Sequence, residues 1–247
     1  MTAIPDGRTV CGMSTAIVTG ASRGFGRALA VELARAGWSL VIDARDEPDL
    51  DAAASVIEDA GSGDLIAIAG DVTEPDHAAG LVEAAVGTGD FSLLVNNASL
   101  LGPSPQPTLA HYPLPVLEQV IATNLLAPLR LIQLALPHLR STQGTVVNIT
   151  SDAAVEGYEG WGGYGASKSG LEQLSNVLAA EETDVTVYWL DPGDMNTRMH
   201  QEAFPGDDIS DRPLPEARVP ALIRLIEGPY PSGRYQAEAL LTMETSP

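Results

Sequence analysis

The chain has 247 residues, with 13 lysines and arginines against 33 aspartates and glutamates, for a formal net charge of −20. That balance excludes a general basic face for nucleic acid or an anionic membrane, and no apolar run in the sequence reaches the length of a bilayer span. The single cysteine, Cys11, forbids an internal disulfide and suits a reducing cytoplasm, while the four scattered histidines offer no metal-ligand spacing.

Residues 1–13 lack the charged-then-apolar order of a signal peptide and are expected to form a loose arm. From Thr15 onward, short apolar runs alternate with amphipathic stretches. The runs "TAIVTG", "WSLVID", "DLIAIAG", "SLLVNN", "GTVVNIT" and "DVTVYWL" predict six strands. Between them the pattern predicts helices over stretches such as 24–36, 75–87, 114–139 and 164–181. Strands apolar on both faces and separated by helices predict an α/β fold, a doubly wound parallel sheet with helices on both sides. The rhythm runs on without a linker or repeat, so 1–247 is expected to be a single domain. Residues 199–220, rich in Pro and Asp, break the rhythm and predict a long loop that acts as a substrate lid. A last helix is expected in "PALIRLIEG" and an edge strand in "RYQAEALLTM".

The first strand runs directly into Thr19-Gly20-Ala21-Ser22-Arg23-Gly24-Phe25-Gly26 and then a helix. Glycines there permit a tight turn, and the helix start offers free N–H groups to a pyrophosphate. A structural turn without a ligand is the plainer alternative. Gly20-Ala21-Ser22-Arg23-Gly24 also matches G-x-S-x-G, the elbow of serine hydrolases, which would make Ser22 a nucleophile. That reading needs a histidine partner, and none of His77, His111, His138 and His200 has a telling context. The end of the second strand, "LVIDARDE", should lie near an adenosine ribose. An acid there accepts from a ribose 2′-OH, whereas an arginine accommodates a 2′-phosphate. Asp43 and Arg45 are both present and are expected on the same side of the strand, so the local sequence leaves the choice open.

Lys168 is the only lysine in the chain. It lies one helical turn beyond Tyr164, so both side chains share a face. A free tyrosine titrates near 10, and a neighbouring ammonium is expected to stabilise the phenolate and lower that value. Ser151, just after the fifth strand, can hold a reacting oxygen against the tyrosine, or it can cap the strand end.

"TGASRGFG", "NNAS", "NLLAP", "NITS", "YGASK" and "DPGDMNT" follow the order and spacing of a short-chain dehydrogenase/reductase. The chain resembles that family over roughly Thr15 to Thr197, and it is most similar to the sepiapterin-reductase-like branch. The resemblance implies a Rossmann-type sheet of about seven strands, a nicotinamide cofactor, and reversible hydride transfer between it and a carbonyl/alcohol substrate, with ketone reduction as the favoured direction. It implies that Tyr164 exchanges the proton, that Ser151 orients the carbonyl, and that Lys168 binds the nicotinamide ribose and lowers the tyrosine pKa. Asn124 would support a water-linked proton relay, or else be a buried helix Asn bonded to backbone.

The same resemblance assigns Gly20, Ser22, Arg23, Phe25 and Gly26 to the diphosphate and Asp71 with Val72 to the adenine. Asn97 and Ala98 fall to the adenosine ribose, and Met195 with Thr197 to the carboxamide. Counted from Gly26, the NAD-selecting acid falls on Ala44 and the NADP-selecting arginine on Arg45. With Arg23, this favours NADP, with NAD as the alternative that Asp43 keeps open. Helices 114–139 and 164–181 imply a homo-oligomer, a dimer or a tetramer. Ser99 and the tail from Ser232 depart from the family pattern, which has glycine at the first and a glycine-rich ending at the second. A nucleotide-binding regulatory protein without turnover is the other class the motifs allow. Tyr158, Trp161, Met199 and Phe204 are expected to wall an apolar or aromatic substrate pocket.

Overall fold

The computed structural model describes residues 14–61 and 63–243, so the expected N-terminal arm, with Cys11, lies outside the described residues. Seven parallel strands form one sheet in the order β3-β2-β1-β4-β5-β6-β7. They are β1 (Ser14–Val18), β2 (Ser39–Ala44), β3 (Leu65–Ala69), β4 (Asp90–Asn96), β5 (Thr145–Ile149), β6 (Thr186–Asp191) and β7 (Gly233–Gln236). The chain winds outward from β1 to β3, crosses back to β4, and winds outward on the other side. A crevice therefore opens between the carboxyl ends of β1 and β4, where the winding direction reverses.

Side chains alternate along each strand, and both faces are apolar. Ala16, Val18, Leu93, Val95, Val147 and Leu190 pack one way, against α1 (Gly24–Arg35), α2 (Glu47–Ala60), α8 (Val219–Glu227) and α9 (Ala237–Thr242). Ile17, Val41, Leu94, Val146 and Val187 pack the other way, against α3 (Pro75–Thr88), α5 (Ala127–Thr142) and α6 (Gly162–Glu181). Apolar layers on both sides of β1, buried from Thr15 to Val18, explain why the central strands read as hydrophobic runs, whereas the edge strand β3 leaves Ile66, Ala67 and Ala69 exposed.

Three elements differ from the sequence expectation. Helix α2 is not among the stretches singled out by periodicity, because its "EPDLDAAASVIEDA" buries only Leu50, Ala53 and Ile57. Its start is nonetheless signalled by Asp46, whose side chain accepts from the Asp49 N–H, and by the following Pro48. The expected edge strand "RYQAEALLTM" is a strand only through Gln236, and Ala237–Thr242 is helical. Ala, Glu and Leu favour a helix once pairing with β6 has ended. Segment 199–220 is not an open loop: α7 (Arg198–Ala203) occupies its start, a 3₁₀ turn spans Pro215–Ala217, and Ile209 is buried.

The expected helix 114–139 is α4 (Leu114–Ile121), a π-turn at Ala122–Leu126, and α5 in unbroken succession. By length and composition alone, Leu114–Thr142 is the one helical stretch among the described residues apolar enough to cross a bilayer. Part of that apolarity is turned inward, with Leu131, Ile132, Ala135 and Leu139 buried in the core.

Candidate active site

The turn between β1 and α1 is held open by its glycines. Gly20 sits at φ +66°, and a Cβ there would come within 2.8 Å of the Ala98 backbone. A Cβ on Gly26 would lie 2.4 Å from Asn97 Nδ2 and 2.6 Å from the Gly20 carbonyl. The first turn of α1 thus packs directly on the end of β4. Arg23, at the helix N-cap, makes no side-chain cap hydrogen bond, so the leading N–H groups of α1 are uncovered by the chain's own side chains.

Asn97 serves this packing. Its Nδ2 donates to the carbonyls of Thr19 (2.8 Å) and Gly20 (3.1 Å), while the Thr19 hydroxyl accepts from the N–H groups of Asn97 and Ala98. The side chain expected at a ribose is therefore a clamp between β4 and the turn. Asp43 is also engaged inward: Oδ1 accepts from the Gly20 N–H at 2.7 Å, and Oδ2 lies 3.0 Å from His77 Nε2. Arg45, one residue past β2, is exposed. Both line the same cavity, Asp43 buried at the end of β2 and Arg45 exposed just beyond it. Burial pushes the Asp71 carboxyl up, but the Thr73 amide and hydroxyl, with Arg45 and His77, hold it below the ordinary range.

At the other end of the crevice, α6 presents Tyr164 and Lys168 on one face. Lys168 is buried; its Nζ donates to the Ile149 carbonyl at 2.8 Å and lies 5.6 Å from the Tyr164 ring centre. Trp161 meets Tyr164 edge-on, at 5.8 Å between ring centres. Burial pushes the Tyr164 phenol up to about 12, with the Ser99 hydroxyl pulling down and Asp191 and Asp152 pushing further up. Burial likewise pushes Lys168 down to about 7. The tyrosine shift runs opposite to the one expected from a neighbouring ammonium. Burial of the phenol is the largest cause of the shift, and Asp191 and Asp152 add to it.

Ser151 follows β5 and caps a 3₁₀ turn at Asp152–Ala154, accepting from the Ala153 N–H and donating to Asp152 Oδ1 at 2.9 Å. Asn124 is buried in the π-turn. Its Oδ1 accepts from the Leu100 N–H (2.7 Å) and the Ser99 hydroxyl (3.2 Å), and its Nδ2 donates to the Leu100 carbonyl and Ser167 Oγ, both at 2.9 Å. The amide is spent on tying the loop after β4 to α6. A π-turn of this kind displaces helix backbone groups from their usual partners and recurs at functional sites.

Of the candidate residues, all but Gly26 and Asn124 line one continuous cavity of about 990 Å³. Those two stand behind its wall. Of the four expected pocket residues, Trp161 and Met199 line the cavity. Tyr158 instead donates to Asp152 Oδ2, and Phe204 packs at a tilt against His200 and Trp161. Among the described residues no histidine hydrogen-bonds Ser22, so the hydrolase arrangement does not form.

One cluster escaped sequence reasoning. Arg234 on β7 reaches Glu172 (3.0 Å), Asp191 (3.3 Å) and the Ser151 carbonyl (3.3 Å), bracing the loop that carries Ser151 from behind. Burial raises the Asp191 carboxyl despite the Gly193 N–H and Arg234. Arg234 lies far along the chain from Ser151, and no local pattern signals the contact. His77 enters the sequence reading only as a hydrolase histidine without a telling context, and no motif signals its contact with Asp43.

A family model described as short chain dehydrogenase matches residues 14–208. The short chain dehydrogenase asqE of Emericella nidulans is 40% identical over 174 residues, covering 68% of this chain and 64% of the relative. Mouse (Mus musculus) sepiapterin reductase is 35% identical over 215 residues, covering 78% of each. Among solved structures, an alcohol dehydrogenase from Thermococcus sibiricus complexed with 5-hydroxy-NADP superposes with a TM-score of 0.81 at 27% identity, covering 91% of this chain and 95% of the other. A Shigella flexneri short chain dehydrogenase complexed with NADP gives 0.82 at 28%, covering 91% and 97%. The chain belongs to the short-chain dehydrogenase family of NAD(P)-dependent oxidoreductases.

Proposed function

We propose that the chain is an NADPH-dependent reductase of ketones, with Tyr164 as the proton donor. The observation that carries this reading is the single cavity joining the open start of α1 to Tyr164, Lys168 and Ser151. The donor set fits a dinucleotide: uncapped N–H groups at α1 suit a diphosphate, and the crevice lies at the switch point of the sheet. When bound, the nicotinamide supplies the hydride. The chain's residues do the rest. Met195 and Thr197 hold the carboxamide end, and Ser151 turns its hydroxyl from Asp152 to the substrate oxygen. Tyr164 delivers its proton to that oxygen, and Lys168 binds the ribose hydroxyls and balances the phenolate that remains. Asn124 fixes the π-turn through which a water-linked relay can return the proton.

Arg45 is exposed on the cavity and makes no ion pair among the described residues, whereas Arg23 faces Asp49 at 3.7 Å. Arg45 is therefore the stronger reader of a 2′-phosphate, and the Thermococcus sibiricus and Shigella flexneri complexes both carry an NADP-type ligand. Trp161 and Met199 favour an apolar or aromatic carbonyl, and α7 with the chain to Pro215 serves as the lid. That segment is tied to the loop after β4 by Ser104, whose hydroxyl donates to the Glu202 carbonyl at 2.6 Å. Leu126, Leu134 and Val177 are exposed on the two helices expected to pair subunits, so a light-scattering mass of at least two chains is expected.

Calorimetric titration with NADPH and with NADH tests the reading. NADPH should bind at least about tenfold more tightly, and Arg45→Ala should remove that preference by weakening NADPH alone. Binding of neither nucleotide would refute the reading.

A further inference from the structure

Asp43 is the residue that kept NAD open in the sequence, and its surroundings give it different work. Its side chain is 2% exposed and His77's is 8% exposed. One carboxylate oxygen takes the Gly20 N–H at 2.7 Å and the other meets His77 Nε2 at 3.0 Å. The backbone adds a third tie, from the Ala21 N–H to the Asp43 carbonyl at 2.9 Å. His77 sits in the first turn of α3, and its ring packs closely on Gly70, where an added Cβ would come within 2.3 Å of Nδ1. The ring is thus fixed in place by packing. Three elements that meet at the nucleotide end of the crevice, β2, α3 and the β1–α1 turn, are joined through one carboxylate.

Resting on the nicotinamide reading above, we propose that Asp43 and His77 form a buried brace that presets the diphosphate turn, with His77 as its positioning residue, and that Asp43 for this reason does not select between NADPH and NADH. A brace that holds Gly20 at positive φ fixes the approach of the turn for either nucleotide alike. It also occupies the acid: a carboxylate held by a backbone N–H and a locked imidazole is not free to turn toward a ribose hydroxyl. The preference then does not lie with Asp43, while His77 governs affinity without touching the ligand.

The test is calorimetry of the full chain with NADPH and NADH for wild type, His77→Leu, His77→Gln, Asp43→Ala and Asp43→Asn. His77→Leu should weaken both nucleotides by about tenfold, with the NADPH:NADH ratio within about twofold of wild type. His77→Gln retains an N–H donor and should recover most of the loss. In steady state, His77→Leu should raise KM for the nucleotide and keep kcat at saturation. Asp43→Ala should also weaken both nucleotides in parallel. Two results overturn the proposal: unchanged affinities in His77→Leu, or an Asp43 variant that loses NADH about tenfold more than NADPH. Should His77→Leu or Asp43→Ala fail to fold by circular dichroism, Asp43→Asn, which still offers Gly20 an acceptor, carries the same comparison of ratios. A wild-type chain that binds neither nucleotide refutes the parent reading and this one with it, and it is seen before any variant is compared.

Discussion

Replacing Tyr164 by Phe removes one hydroxyl and leaves a ring of the same shape, edge-on to Trp161 and beside the buried Lys168. A positioned general acid contributes roughly 10²–10⁴-fold to a rate, so kcat for ketone reduction should fall by that factor, about 3–5 kcal/mol of barrier. NADPH affinity should stay within about threefold, since the hydroxyl is assigned to the substrate. The pH profile carries a second, independent signature. With the phenol pushed up to about 12, Tyr164 stays protonated across the neutral range, so it imposes no loss of reduction rate between pH 6 and 9. Alcohol oxidation instead needs the phenolate, about one part in 10⁵ at pH 7, so its kcat/KM should climb about tenfold per pH unit up to pH 9. Stopped-flow absorbance at the nicotinamide band reads both directions. A Phe variant retaining more than about a tenth of wild-type turnover refutes Tyr164 as the acid. An oxidation rate independent of pH refutes the phenolate as the base.

Gly26→Ala drives a methyl against Asn97 Nδ2 and the Gly20 carbonyl, and overpacking of this kind costs about 1–3 kcal/mol. The melting temperature should fall by about 3–10 °C in a calorimetric scan, and an unchanged melt would refute the close approach. Lys168 gives a stability prediction with a definite sign. Its folded pKa, about 7, lies below the ordinary 10.5, so between those values the unfolded chain holds a proton that the native chain has lost. Stability therefore rises with pH through that window, by about 2.5 kcal/mol from pH 6.5 to 9. Urea midpoints for wild type should climb over that range relative to Lys168→Met. Parallel curves would show that Lys168 is not desolvated.

The legible parts of the site are those whose chemistry fits within a few residues. Gly20 to Gly26 is readable because a tight turn and a helix start must be adjacent in sequence. Tyr164 and Lys168 are readable because one helical turn sets their distance. Five of the six strands are readable because burial on both faces leaves them apolar, while β3 keeps an apolar run at the sheet edge although Ile66, Ala67 and Ala69 are exposed. Helix α2 was less legible, since it lies at the flank of the molecule and buries few side chains. The end of "RYQAEALLTM" was misjudged because whether β7 continues depends on where its partner β6 stops.

What the amino-acid sequence determined by itself is the alternation of strand and helix, the glycine turn ahead of α1, and the placement of Tyr164 and Lys168 on one face of a helix. These are short-range consequences of backbone sterics and periodicity. Only the tertiary structure decided what those residues experience. It turned Asp43 inward onto Gly20 and His77, spent the amides of Asn97 and Asn124 on packing, and brought Arg234 behind Ser151. It also reversed the expected tyrosine shift, because hydration is lost to atoms from the whole fold. A charge four residues away on one helix cannot report how much water the rest of the chain has removed.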